Sequence, residues 1–124
     1  MSDISDDVRI AVVVLADTET HADLGRAVNA LETAKELHEA GETVTVIFDG
    51  AGTKWIGELA NPDHRLHRSF ESLRDVISGA CHYCATAFGA TEGVHAAGIA
   101  LLGEYEGHPS IRNLVIQGYQ VITF

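Results

Sequence analysis

Short apolar runs and longer stretches of helical spacing alternate along the chain. Two runs, at residues 8–15 and 44–48, have strand length and are apolar on both faces. Such runs are typical of parallel strands that are covered by helices on each side. Shorter runs at residues 76–80, 99–102 and 119–124 predict three further strands.

A long helix is predicted between the first two strands. Thr20 is expected to cap its start, with the Asp23 carboxylate reaching back to the same turn. Gly41 is expected to end it. Its apolar stripe consists of Leu24, Val28, Leu31 and Leu37.

Shorter helices are predicted between the later strands. Thr53 is expected to cap a helix that begins near Trp55, and Pro62 is expected to open the next helix. Two small helical segments should be separated near Gly89, and a final helix is predicted over residues 109–117. Strands that alternate with helices in this way predict βαβ units in an open, parallel α/β sheet.

A single domain over residues 1–124 is expected, because no repeat or linker divides the chain. Residues 1–7 are expected to form a flexible, acidic N-terminus. This start differs from the basic and then apolar pattern of a secretory leader. No apolar run approaches the roughly 20 residues of a membrane span. A cytoplasmic protein without a membrane partner is therefore expected.

The chain is acidic, with 8 Lys+Arg against 18 Asp+Glu and a formal net charge of -10. Nucleic acid is not an expected partner, because Lys and Arg provide most of the contacts to phosphate. Such acidity fits a halophilic protein that remains soluble in concentrated salt. It equally fits an acidic protein from ordinary salt concentrations.

Loops that follow the predicted strands are the candidate binding site, because ligands bind beyond the carboxyl ends of parallel strands. The glycine-rich loop at residues 50–54 lacks both the Walker pattern and a dinucleotide fingerprint, so no cofactor is expected. The residues predicted to lie at this ligand edge are Asp17, His21, Asp49 and Gly50.

The two cysteines, Cys81 and Cys84, are the candidate reactive groups. Cys81 follows a predicted strand and begins a predicted helix, where unpaired N–H groups favour the nucleophilic thiolate. It would then attack sulfur or carry a persulfide, with Cys84 as an auxiliary thiol and His82 as a proton donor. The alternative is that both cysteines are small buried apolar residues.

A zinc site is a third interpretation. His64 and His67 share one face of a predicted helix and would complete a Cys2His2 set with the two cysteines. Short pairs of this kind are common, and solvent-facing histidines explain the same pattern. The sequence therefore assigns no metal.

Three segments carry a family resemblance. They are the aromatic-Asp-Gly motif Phe48-Asp49-Gly50, the cysteine segment Ala80-Cys81-His82-Tyr83-Cys84, and the closing strand at residues 118–124. In this order and spacing, the chain from residue 10 to residue 124 resembles the DsrE/DsrF-like family, which includes YchN-like proteins and the DsrE and TusD sulfur-relay subunits. The resemblance implies a three-layer α/β/α sandwich with a five-stranded, mainly parallel sheet.

The resemblance also implies assembly into homotrimers or homohexamers. In sulfur-relay members, a cysteine at the position of Cys81 accepts sulfur as a persulfide from a donor protein and passes it to an acceptor protein. The chain departs from the pattern at Phe88, where these relatives tend to have arginine. The expected function is therefore that of a sulfur carrier, a sulfurtransferase-like subunit. The alternative is a non-enzymatic oligomer that binds a small ligand or senses redox state.

Overall fold

Within residues 7–124, which the computed structural model describes, five strands form one sheet in the order β4-β3-β2-β1-β5. All four neighbouring pairs are parallel. Apart from Asp7, the expected N-terminal segment at residues 1–7 lies outside the described part of the chain. The strands are β1 (Arg9–Val14), β2 (Thr43–Phe48), β3 (Ile77–Cys81), β4 (Leu101–Leu102) and β5 (Gln120–Thr123).

Helices follow the strands and cover the sheet. Since the strand order reverses after β4, right-handed crossovers place the last helix on the face opposite the others. The predicted three-layer α/β/α sandwich is confirmed, and its sheet is entirely parallel. The helices of the described chain are α1 (His21–Glu39), α2 (Trp55–Leu59), α3 (His67–Ser72), α4 (His82–Ala87), α5 (Thr91–Ala96) and α6 (Ile111–Ile116), with 3-10 segments at Gly50–Lys54 and Arg74–Val76.

The predicted start and end of α1 are confirmed. The Thr20 hydroxyl accepts a hydrogen bond from the Asp23 backbone N–H at 3.0 Å, and Asp23 Oδ2 accepts one from the Thr20 backbone N–H at 3.2 Å. This capping box satisfies donors that the first turn leaves unpaired. Gly41 follows the helix with φ +80°, a conformation that glycine adopts without strain.

The predicted cap at Thr53 is wrong. The Thr53 side chain is buried, and its hydroxyl donates to the Gly50 carbonyl at 2.9 Å inside the 3-10 segment. Asp49 is the cap instead, because its carboxylate accepts the Gly50 backbone N–H at 2.8 Å. The segment therefore begins directly after β2.

Two helices also begin later than predicted. The residues after Pro62 form consecutive turns, and α3 starts at His67. At the final helix, the Ser110 hydroxyl accepts the Asn113 backbone N–H at 3.1 Å, so α6 begins after Pro109. A side-chain cap thus decides the start of α6.

The core lies between the sheet and the helices that follow β1, β2 and β3. Large side chains from both layers are fully buried there, and the Trp55 indole N–H donates to the Ala16 carbonyl at 2.9 Å. This packing holds the ends of β1, β2 and β3 in place. The fully buried members include Val12, Val46, Phe48, Ile56, Leu59, Phe70 and Val94. No helix in residues 7–124 is long and apolar enough to cross a membrane.

Candidate functional site

Cys81 lies where β3 ends and α4 begins. It is the last residue of the strand, and its Sγ accepts the Cys84 backbone N–H at 3.4 Å as the cap of the helix. Its exposed fraction is 0%. The sequence prediction of a cysteine at the carboxyl edge of the sheet and at a helix start is confirmed.

His108 contacts this thiol from a distant part of the chain. Its Nδ1 lies 3.3 Å from Cys81 Sγ, and the Gly107 carbonyl lies 3.8 Å from the same sulfur. The Tyr83 ring stands over the imidazole, with 4.8 Å between the ring centroids. Sulfur and imidazole are therefore in hydrogen-bond contact.

The loop after β4 holds His108 in this position. Tyr105 and His108 exchange two backbone hydrogen bonds of 2.8 Å each, which closes a tight turn. Glu106 and Gly107 both have positive φ within this turn, at 50° and 86°. The Tyr83 backbone N–H donates to the Gly107 carbonyl at 2.8 Å and ties the loop to α4.

Burial decides the protonation state of Cys81. Removal from water is the main reason that the pKa of the thiol rises from 9.0 to about 12, and the Cys84 side chain and the Asp49 carboxylate make smaller contributions in the same direction. The hydrogen bond from the Cys84 backbone N–H lowers the pKa but is the weaker influence. The expectation of a resting thiolate is therefore wrong, because the short helix α4 offers too little compensation for burial. The protonated thiol can donate to the unprotonated Nδ1 of His108.

The pKa shift of Cys81 predicts a pH-dependent stability. In the unfolded chain the thiol ionises near 9.0, whereas the folded protein keeps the proton until about 12. Above pH 9.0 the folded state thus binds more protons, and the free energy of unfolding falls as the pH rises, by at most about 1.4 kcal/mol per pH unit. Urea denaturation at about pH 8 and about pH 10 should show this loss in wild-type protein and a smaller loss in Cys81→Ala. Equal losses in the two proteins would contradict it.

Cys84 completes a cluster with these two residues. It is half-buried, and both cysteines are free thiols. The two sulfur atoms and a nitrogen of His108 all lie within 4.8 Å of one another. The site therefore offers two thiols and one imidazole at a single point.

His64 and His67 do not join the two cysteines in the Cys2His2 set that was one interpretation of the sequence. His67 Nδ1 contacts the Leu59 carbonyl at 2.8 Å, and His64 Nδ1 accepts the Leu66 backbone N–H at 3.0 Å. Among residues 7–124, the group of three or more potential metal ligands is Cys81, Cys84 and His108. The two histidines instead make hydrogen bonds to backbone groups of residues 59–66, close to them in sequence.

The predicted ligand-edge residues lie in different environments. Asp49 lines a cavity of about 800 Å³ together with His108. Asp17 is 2.6 Å from Lys54 Nζ, and this ammonium group holds the pKa of the Asp17 carboxyl below its ordinary value. His21 is exposed at the first position of α1.

The neighbours of the thiols on α4 point mainly to solvent. His82 is exposed, and it lines a second cavity, of about 400 Å³, together with Tyr83 and Gly107. Phe88 is 44% exposed at the end of α4. The histidine in contact with Cys81 is thus His108 and not its sequence neighbour.

The sequence patterns assign His108 no role in the site. A signal was present, because the loop after β4 also lies at the carboxyl edge of the parallel sheet. Because ligands bind beyond the carboxyl ends of parallel strands, this loop is also a candidate position for site residues.

Comparisons with known proteins give two similarities. The chain is 30% identical over 89 residues to the uncharacterized protein MJ0733 of Methanocaldococcus jannaschii. The aligned region covers 72% of this chain and 72% of the other protein. It also resembles the solved structure of BT1422, a conserved protein of unknown function from Bacteroides thetaiotaomicron. That match has a TM-score of 0.60 and 19% identity and covers 92% of this chain and 94% of the other, so it supports the fold alone. No model of a known protein family matches the chain.

Proposed function

The chain belongs to the same family as MJ0733 of Methanocaldococcus jannaschii, and from its own thiol site we propose that it is a sulfur carrier. In this proposal, Cys81 takes up sulfane sulfur as a persulfide, as in a sulfurtransferase-like subunit. The observation that carries the proposal is the 3.3 Å contact between Cys81 Sγ and His108 Nδ1. An imidazole at this distance can take the thiol proton and create the nucleophile.

The transfer of sulfur from a donor persulfide to Cys81 needs no added oxidant. The Cys81 proton moves to His108 Nδ1, and the thiolate attacks the terminal sulfur of a donor persulfide. The donor S–S bond breaks as the new S–S bond on Cys81 forms, and the donor thiolate leaves with the proton from His108. The products are a Cys81 persulfide and a donor thiol.

His108 also supports this chemistry electrostatically. After accepting the proton it carries a positive charge beside the sulfur, which stabilises the Cys81 thiolate until the proton passes to the leaving donor. The exposed Phe88 at the family arginine position provides no such charge. We assign to His108 the cationic role that the arginine would have in sulfur-relay relatives.

The cavity beside His108 offers a route to the buried thiol. His108 touches Cys81 and also lines the cavity of about 800 Å³. A small persulfide, or a cysteine presented by a donor protein, would approach from this side. Because Cys81 itself is fully buried, reaction requires a shift of the loop around Gly107.

Assembly and location are parts of the same proposal. The outer helix α6 exposes Val115 and Ile116, with exposed fractions of 58% and 63%. Burial of these side chains against other copies would favour the homotrimer or homohexamer that the family resemblance implies. A cytoplasmic location, where free thiols persist, fits two unpaired cysteines.

Mass spectrometry of reduced protein tests the proposal. After incubation with cysteine persulfide, Cys84→Ser should gain about 32 Da for one sulfur atom on the peptide that contains Cys81. The Cys84 variant is used because Cys84 in the wild type could attack the new persulfide and release hydrosulfide. Cys81→Ser should not gain this mass.

Two other outcomes would contradict the carrier. An adduct that remains on Cys84 in Cys81→Ser would place the acceptor at the wrong thiol. A loss of about 2 Da in the wild type without any adduct in Cys84→Ser would favour a Cys81–Cys84 redox pair. No change in either protein would favour the non-enzymatic ligand-binding alternative.

A further inference from the structure

We propose that Cys81, Cys84 and His108 form a binding site for a zinc ion, in which two thiolates and one imidazole are the protein ligands. This inference is independent of sulfur uptake, although it uses the same atoms. It also differs from the Cys2His2 set that the sequence suggested, because His108 replaces both His64 and His67.

The spacing of the donor atoms fits a tetrahedral zinc ion. With a Zn–S bond of about 2.3 Å and a Zn–N bond of about 2.0 Å, a sulfur and a nitrogen ligand of a tetrahedral ion lie about 3.5 Å apart. Cys81 Sγ and His108 Nδ1 are 3.3 Å apart. Two sulfur ligands would lie about 3.8 Å apart, and all three donors here lie within 4.8 Å. Completing the set requires the Cys84 sulfur to come closer to each of the other two donor atoms by no more than about 1.3 Å.

The donor types select a soft or borderline ion. Thiolate and imidazole bind zinc well, whereas Mg²⁺ and Ca²⁺ prefer oxygen ligands. Binding Zn²⁺ displaces the protons of Cys81 and Cys84 and leaves a site with no net charge. A bound ion thereby removes the cost of ionising a buried thiol.

The helix start holds the two sulfur ligands together. The hydrogen bond from the Cys84 backbone N–H to Cys81 Sγ keeps both thiols on one turn of α4. The Tyr83–Gly107 backbone bond of 2.8 Å fixes the loop that delivers His108. The three ligands are thus gathered at one point before any ion arrives, and the Cys84 side chain has only a short distance to move.

Three protein ligands leave a fourth position open. His108 lines the cavity of about 800 Å³ that Asp49 also borders, so water can reach the ion from that side. An open position of this kind is characteristic of zinc sites that exchange a water or substrate ligand. A fully closed, four-ligand structural site would need a further donor.

Titration of the untagged, reduced full-length chain with Co²⁺ and then Zn²⁺ tests the site, with sulfur donors excluded. One equivalent of Co²⁺ should produce thiolate-to-cobalt charge-transfer absorption and the intense visible bands of a tetrahedral ion, and Zn²⁺ should abolish both. Cys84→Ser and His108→Ala should each weaken binding by about a hundredfold or more, beyond what loss of an outer contact causes. His95→Ala, which alters an exposed histidine on α5, is the control and should bind like the wild type.

Circular dichroism is used to check that each variant is folded. The test relies on variants of Cys84 and His108, which are half-buried, so it does not depend on the folding of Cys81→Ser. Absence of charge-transfer absorption in the wild type would overturn the site. Undiminished binding by His108→Ala would overturn it too. Sulfur uptake is measured separately on chelator-treated protein, so failure of the carrier and failure of the zinc site give different results.

Discussion

His108→Ala should slow sulfur uptake on Cys81 by about a hundredfold or more near neutral pH, the scale on which a positioned base accelerates proton transfer. The imidazole is the group in contact with a thiol whose pKa is raised to about 12, so its removal leaves the proton to solvent. The rate of adduct formation in a Cys84→Ser background measures the effect. The deficit should shrink as the pH rises, because hydroxide can then replace the missing base.

A paired variant decides which histidine moves the proton. If His82 is the proton donor that the sequence suggested, His82→Ala should slow uptake and His108→Ala should not. The structure favours the reverse, since His82 is exposed and His108 lies 3.3 Å from the sulfur. Equal rates for His108→Ala and wild type at every pH would refute the role of His108. His95→Ala serves as the neutral control.

Gly52→Ala should lower the free energy of unfolding by about 3 kcal/mol, the upper range for forcing an extra group into a packed interior. A Cβ at Gly52 would lie 2.0 Å from the carbonyl oxygen and 2.7 Å from the carbonyl carbon of Val14. These are backbone atoms of the interior strand β1, which pairs with a neighbour on each side and is therefore held in place. The 3-10 segment must therefore move, and Asp49 at its start would move with it.

Gly25→Ala provides a matched control for this substitution. Gly25 lies inside α1, and an added Cβ would meet nothing within 4 Å. Alanine there should leave stability unchanged or raise it by up to about 1 kcal/mol through its higher helix propensity. Urea denaturation of both variants measures the difference. A Gly52→Ala protein as stable as Gly25→Ala would show that the contact with β1 is not rigid.

Much of the fold could be predicted because local and long-range signals agree. The apolar runs of β1 and β2 require two covered faces, and the residues around Thr20 encode a complete capping box. Where several side chains compete for one role, local rules fail. Asp49 caps the 3-10 segment because it directly follows β2, which leaves Thr53 to bond inward instead.

Only part of the candidate site could be predicted from the sequence. Cys81 and Asp49 could be predicted, because both lie at the carboxyl ends of parallel strands, where ligands bind. His108 arrives through pairing of β3 with β4, a strand of two residues, and through a turn with positive φ at Glu106 and Gly107. Neither feature leaves a periodic pattern. The burial of Cys81 is likewise a property of the assembled loop, and it reverses the protonation state expected from the helix start alone.

During synthesis on the ribosome, Cys81 is made before the segment that will cover it. Cys81 and His108 lie 27 positions apart, and the loop that covers the sulfur emerges after the thiol does. Until that later segment has docked, the nascent chain carries an ordinary, accessible cysteine whose pKa is near 9.0. Exposure of this thiol to oxidants is therefore greatest before the loop docks, and docking then shields the sulfur.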